Sequence, residues 1–301
     1  MTHPLTSLIR PPHATIDGVT MSDLTKKLLG LAPPPEQAGA PAPAGQPVEV
    51  VDLSGAAGVG LHDAVLSGWF QNSTNEVFRG IPIGPGDSVV DVGCGDGGAS
   101  MFCARRGAHV TVVDIDPQVI AAIESRLAEG CPGGHASHVS NGNPLPLANA
   151  VANRVLCTEV LEHVDDPRQL LSELVRIGKP GALYLLTVPG ALQENLQKHV
   201  APSSYFQKPN HVRIIERSEF ADMVTHAGLI IEEHTQYGFF WSIWWALFWA
   251  CEVDLGKPSH PALDHWTESW RAILALPQGA QLKQQLDQFM PKSQVIVARK
   301  P

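Results

Sequence analysis

Short apolar, β-branched runs alternate with longer helix-forming segments from Val89 to the end of the chain. Runs such as Val89, Val90 and Val92 suit strands buried on both faces of a parallel sheet. The pattern predicts strands near residues 88–92, 109–114, 136–140, 154–158, 183–188, 229–235 and 294–299. Helices are predicted near 97–106, 117–129, 166–177 and 216–227. This alternation argues for an α/β class, a doubly wound and mostly parallel sheet covered on both faces. Leu61 to Arg79 reads as helical in parts, with Trp69 and Phe70 ahead of the polar run Gln71 to Glu76.

Residues 1–50 break the pattern. Their prolines, mixed with Ala and Gly, make a poor core and predict a flexible tail, in which Ser22 is placed to cap a short helix up to Leu31. Residues 51–301 are expected to form the folded domain. Two stretches exceed what the sheet needs: Pro189 to Glu216, and 237–292, which holds FFWSIWWALFWAC and is expected as a helical, aromatic-rich cap inserted before the last strand.

At 301 residues the chain can bury a sizeable core in one decorated domain. The formal charge of −9 and the lack of a Lys/Arg cluster disfavour nucleic acid as a partner. Five cysteines without a C-x-x-C pair read as reduced thiols, which points to a cytoplasmic setting. No signal peptide is expected, and no apolar run reaches the roughly 18 residues of a spanning helix.

The chemistry centres on SVVDVGCGDGGAS, residues 88–100: a strand, a glycine-rich turn and a helix N-terminus. Gly93, Gly95 and Gly98 satisfy G-x-G-x-x-G, and Asp114 lies about 20 residues further on, as a dinucleotide site asks. Asp91 shifts the balance. A carboxylate ahead of the glycines repels a pyrophosphate but can take an ammonium, which favours S-adenosylmethionine over NAD. Asp114 ends the second strand, where a carboxylate can accept both ribose hydroxyls, with Ile115 against the adenine. Asp116, before Pro117, is the rival acid and fits better as a helix cap.

DVGCGDG (91–97), VVDIDP (112–117), NPLPL (143–147) and EVLEHVDDP (159–167), in this order, resemble the motifs of class I S-adenosylmethionine-dependent methyltransferases. The resemblance runs from about Trp69 to about Gly228, and weakly again at the C-terminal strand. It implies a Rossmann-like sheet of seven strands, the last inserted antiparallel, and S-adenosylmethionine as cofactor. It also implies that Asp91, Gly93, Gly95, Asp114, Ile115, Asn141 and Glu159 line the cofactor site. Asn141 departs from the acid that the family often has near the adenine, yet its amide oxygen can still accept a hydrogen bond. Asn153 likewise replaces a usual aspartate and receives no role. The helix before the first strand implies a lid over the cofactor, against a plainer reading as packing on the sheet edge.

Glu159, Glu162 and His163 stand at i, i+3, i+4, and one helical turn would face all three one way. The E-x-x-E-H arrangement resembles that of polyprenyl-quinone and small-RNA O-methyltransferases, which use it with a later histidine, here His211, to hold a divalent ion. The resemblance implies Mg²⁺, Mn²⁺ or Zn²⁺ on Glu159, Glu162, His163 and His211. Other relatives carry the same segment without metal, and there His163 is structural or catalytic. His163 and His211 are candidate general bases under either reading.

The aromatic run leaves three readings open: a core or dimer-interface helix, a wall for a hydrophobic acceptor, or contact with a membrane surface. The second would make Trp69, Phe70, Trp241, Trp244 and Trp245 the acceptor pocket. The expected function is methyl transfer from S-adenosylmethionine to a small or lipid-like hydrophobic acceptor, at oxygen by preference. A non-catalytic S-adenosylmethionine-binding regulator and a nicotinamide-dependent oxidoreductase are the alternatives.

Overall fold

The computed structural model describes residues 55–301 except Leu255 and Lys257. The expected tail, residues 1–50, and its helix capped by Ser22 lie outside the described residues. Helix α1 (Gly55–Ser67) leads into three short antiparallel strands, β1 (Trp69–Gln71), β2 (Glu76–Phe78) and β3 (Ile81–Pro82), which form a sheet of their own. This hairpin corrects the helical expectation beyond Ser67. Gly68 (φ 112°) ends the helix, and Phe70 and Asn75 take left-handed backbone at φ 49° and 58°, so the polar run turns the chain back. Trp69 and Phe78 then pair across the hairpin, ring centroids 5.2 Å apart.

The main sheet comprises β4 (Ser88–Val92), β5 (His109–Asp114), β6 (His135–Val139), β7 (Ala152–Thr158), β8 (Gly178–Pro189), β9 (Ile230–Tyr237) and β10 (Ser293–Arg299). Its order is β6-β5-β4-β7-β8-β10-β9. The first five strands run parallel, whereas β10 is antiparallel to both β8 and β9. This matches the seven-stranded, mostly parallel α/β architecture expected from the alternation and the motifs. The strand order reverses between β4 and β7, and ligands of such sheets bind beyond the carboxyl ends of strands at that switch point.

Between the strands lie α2 (Gly98–Ala104), α3 (Pro117–Gly130), α4 (Pro167–Ile177), α5 (Ala191–Gln197), α6 (Arg217–His226), α7 (Phe239–Ala250), α8 (Pro261–Leu274) and α9 (Gly279–Phe289). Asp116 and Asp166 cap α3 and α4, each followed by a proline whose fixed φ suits the first helical position. Strand side chains alternate between two cores, as the two-residue period requires. Leu183, Leu185, Val295 and Val297 face α2, α3, α7 and α8, while Tyr184, Leu186, Ile296 and Ala298 face α4 and α6. Among the described residues no helix is long and apolar enough to cross a membrane.

Candidate active site

The glycine-rich turn is braced from two sides. Asp91, at 2% exposure, accepts a hydrogen bond from the Ser100 hydroxyl on α2 at 2.6 Å. Asp114, at the end of β5, accepts from the backbone N–H of Gly95 through one oxygen and of Asp116 through the other, both at 3.1 Å. Asp114 therefore ties the turn to the second strand and stays half-buried at the strand's end. Asp116 itself caps α3. Gly93 and Gly97 have φ of 71° and 78°, and a Cβ on them would run into Val160 and Ile123. Ile115, beside Asp114, is 69% exposed among the described residues. Asn141 is exposed and uses its side-chain oxygen to accept from Asn143 N–H. Asn153 bonds Asp87 and the backbone of Ser88 and so anchors the entry to β4.

Val160 packs on Gly93, so the segment after β7 lies directly against the turn. Glu162, His163 and His211 meet there, with one ligand atom from each within 4.8 Å of the others. The segment carrying His211 is laid on by Val212 N–H to the Glu162 carbonyl and by Arg213 to the Leu161 carbonyl, both at 3.0 Å. His163 Nδ1 meets the Pro209 carbonyl at 3.1 Å and must donate to it, and its Nε2 lies 3.5 Å from Glu162 Oε1. His211 Nδ1 lies 2.6 Å from Glu194 on α5, which also accepts from the Tyr205 hydroxyl. Glu162 is 1% exposed, and neither carboxylate oxygen has a hydrogen-bond partner among the described residues. Burial, followed by the nearby Glu159 charge, pushes its carboxyl up to about 8. Burial by itself disfavours a charged His211 ring, but Glu194 and Glu162 outweigh it and raise the group above its ordinary value.

Glu159 does not join the trio. Its backbone is left-handed at φ 56°, and its carboxylate takes the Thr187 hydroxyl at 3.0 Å and the Lys292 ammonium at 3.2 Å. Lys292, Glu194, Thr187 and Tyr205 were not singled out in the sequence. Glu194 and Tyr205 fall in the long Pro189–Glu216 stretch, which was the only hint. Nothing local marks Lys292.

Trp69, Trp241, Trp244 and Trp245 are buried within one core cluster, whereas Phe70 is half-buried and packs on Phe102. Another ring of α7 meets open space. Trp249, with Val253 and with His199 to Pro202 after α5, lines a cavity of about 550 Å³. Trp249 also packs on Tyr205, and Tyr205 on His211, with centroids 5.6 and 4.7 Å apart. The cavity thus lies two aromatic rings from the trio.

Comparison with known proteins agrees with this geometry. A family model described as "Methyltransferase domain" matches residues 90–186. The "Ubiquinone biosynthesis O-methyltransferase" of Hahella chejuensis is 39% identical over 108 residues, 35% of this chain and 44% of that protein. The protein of the same description from Thiobacillus denitrificans is 30% identical over 162 residues, 50% of this chain and 67% of its own. The chain spans less than two thirds of the length of several such relatives. A solved geranyl diphosphate methyltransferase in complex with SAM shares the fold, with a TM-score of 0.50 at 19% identity over 73% of this chain and 80% of that one. With its motifs, sheet order and these relatives together, the chain belongs to the class I S-adenosylmethionine-dependent methyltransferases.

Proposed function

We propose that the chain transfers the methyl group of S-adenosylmethionine to an oxygen of a small or lipid-like hydrophobic acceptor, in a cytoplasmic setting. The observation that carries this reading is the buried Glu162 carboxylate, set between two imidazoles against the cofactor turn. The cofactor fits the residues present. Asp114 offers its carboxylate at the strand end, Ile115 offers an apolar face exposed among the described residues, and Gly93 leaves no side chain on the turn. When bound, S-adenosylmethionine supplies a methyl already activated on a sulfonium, so positioning accounts for much of the acceleration.

A divalent ion also fits Glu162, His163 and His211, because a buried carboxylate with no hydrogen-bond partner among the described residues and two imidazoles make a suitable donor set. Such an ion would lower the pKa of an acceptor hydroxyl. This chain's own groups do the rest. The Pro209 carbonyl and Glu194 each hold one imidazole by its Nδ1 proton, which orients both rings. With no ion bound, an imidazole so held can take the acceptor's proton at Nε2, and with an ion bound the same Nε2 atoms would be its ligands. Burial of Glu162, Glu194 and His211 keeps water from competing for that proton. The relatives described as ubiquinone biosynthesis O-methyltransferases support an oxygen acceptor.

Calorimetry should detect S-adenosylhomocysteine binding and no NAD binding. Turnover of a phenolic acceptor with an apolar side chain should release S-adenosylhomocysteine. Activity that survives complete chelation would remove the ion from this reading, and failure to bind either S-adenosyl ligand would remove the reading itself.

A further inference from the structure

We propose that Lys292 withdraws Glu159 from the ion-binding group, so that the centre holds its ion through one carboxylate and two imidazoles and prefers Zn²⁺ or Co²⁺ to Mg²⁺. The inference rests on the reading that Glu162, His163 and His211 hold an ion, and it adds which ion and why.

The spacing of Glu159, Glu162 and His163 offers two carboxylates, and with His211 the set would be half oxygen and half nitrogen. The fold removes one carboxylate. Strand β10 runs antiparallel, so its entry rather than its exit lies at the carboxyl ends of β7 and β8, and Ser293 pairs with Pro189 there. That register delivers Lys292 to Glu159, which follows β7 directly. The pair is enclosed, with Lys292 at 1% exposure, and the second Glu159 oxygen is taken by Thr187. Turning Glu159 toward an ion would strand a buried ammonium, and separating such a pair is strongly unfavourable. The Glu159 backbone is held as well, its N–H donating to the Thr187 carbonyl at 3.0 Å.

The buried charges sort into two balanced sets. Glu159 and Lys292 cancel each other. Once an ion displaces the protons of Glu162 and His211, Glu162 and Glu194 would carry two negative charges against its two positive ones. The Glu194–His211 contact is the carboxylate–imidazole pairing that orients a metal-bound histidine. A donor set of two imidazoles and one carboxylate suits the nitrogen-favouring transition metals, whereas Mg²⁺ seeks oxygen ligands and water.

The test is metal calorimetry on the full chain after chelation, with Zn²⁺, Co²⁺ and Mg²⁺ as probes, alongside S-adenosylhomocysteine binding. Zn²⁺ should bind at least about a thousandfold more tightly than Mg²⁺. Glu162→Gln should weaken Zn²⁺ at least about a hundredfold, while the double variant E159Q/K292M, which replaces the ion pair by neutral groups, should stay within about threefold of wild type. Lys292→Met alone should tighten Mg²⁺ about tenfold, because Glu159 then gains the ion as its only cation. If that variant does not fold, the double variant decides. Mg²⁺ binding as tight as Zn²⁺, a double variant as defective as Glu162→Gln, or no metal binding at all would overturn the inference. In each of those cases retained S-adenosylhomocysteine binding leaves the methyltransferase reading standing.

Discussion

Single residues differ in how much of their setting is local. Asp114 is placed by the strand it ends, and its carboxylate grips two backbone N–H groups, those of Gly95 and Asp116. Hydrogen bonds to a charged group contribute about 1.5–3 kcal/mol. Asp114→Ala should therefore weaken S-adenosylhomocysteine by roughly ten- to a hundredfold in calorimetry while the circular dichroism spectrum is kept. Asp63 is a different case. It is buried on α1, donor-bonded by Trp270 at 2.8 Å and 3.3 Å from Lys283, which Asp287 also contacts. Burial above all, then the Asp287 charge against the pull of Lys283, pushes its carboxyl from 3.8 up to about 6. A raised acid stabilises the fold fully below its unfolded value and loses that contribution as pH rises through the folded one. Stability should fall between pH 4 and pH 7 by up to about 3 kcal/mol from this group. Asp63→Asn, which resembles the protonated acid, should flatten the denaturant midpoint over that range.

At the scale of elements, α7 divides its aromatic rings between the core and the cavity. Phe240, Trp241, Trp244, Trp245 and Phe248 pack into the core beside the sheet, and Trp266 and Trp270 of α8 pack with them. Gly60 on α1 allows this closeness, since a Cβ there would overlap the Trp241 ring. Trp244→Ala should lower stability by about 3–5 kcal/mol, read as a lower Tm, with S-adenosylhomocysteine affinity unchanged in the protein that remains folded. Trp249→Ala, at the cavity, should instead raise the acceptor KM several-fold with a smaller change in Tm. Equal effects of both variants on KM would place the acceptor along the whole helix. The turn after β4 offers a further check: Gly97→Ala forces a Cβ at φ 78° against Ile123, so cofactor affinity should fall at least several-fold.

For the whole molecule, the sheet order decides which residues share the site. The reversal between β4 and β7 opens the space beyond their carboxyl ends, and the antiparallel β10 adds its entry to the same end. Helices α1, α7, α8 and α9 are joined on one side by the buried Asp63, Lys283, Asp287 and Trp270 with the half-buried Ser67, and Asp287 accepts from Gly238 and Phe239 N–H at 2.9 Å. Cofactor turn, trio and aromatic helix thus rest on one frame.

Much of that frame could be read directly from the chain. Alternation of β-branched runs with helix-forming segments determined the strands and helices to within a few residues. Asp116 before Pro117 determined one helix start, and the glycines with Asp114 determined the turn. These features are local, since backbone preference and capping act over a few neighbouring residues. The hairpin at Trp69–Phe78 was less legible, because its aromatics serve a helix or a strand equally well. Tertiary structure alone decided that Glu159 meets Lys292, 133 residues away, and that Glu162 is left with the two histidines. A buried carboxylate takes whichever cation or donor the fold brings within reach, and strand order and direction set that reach.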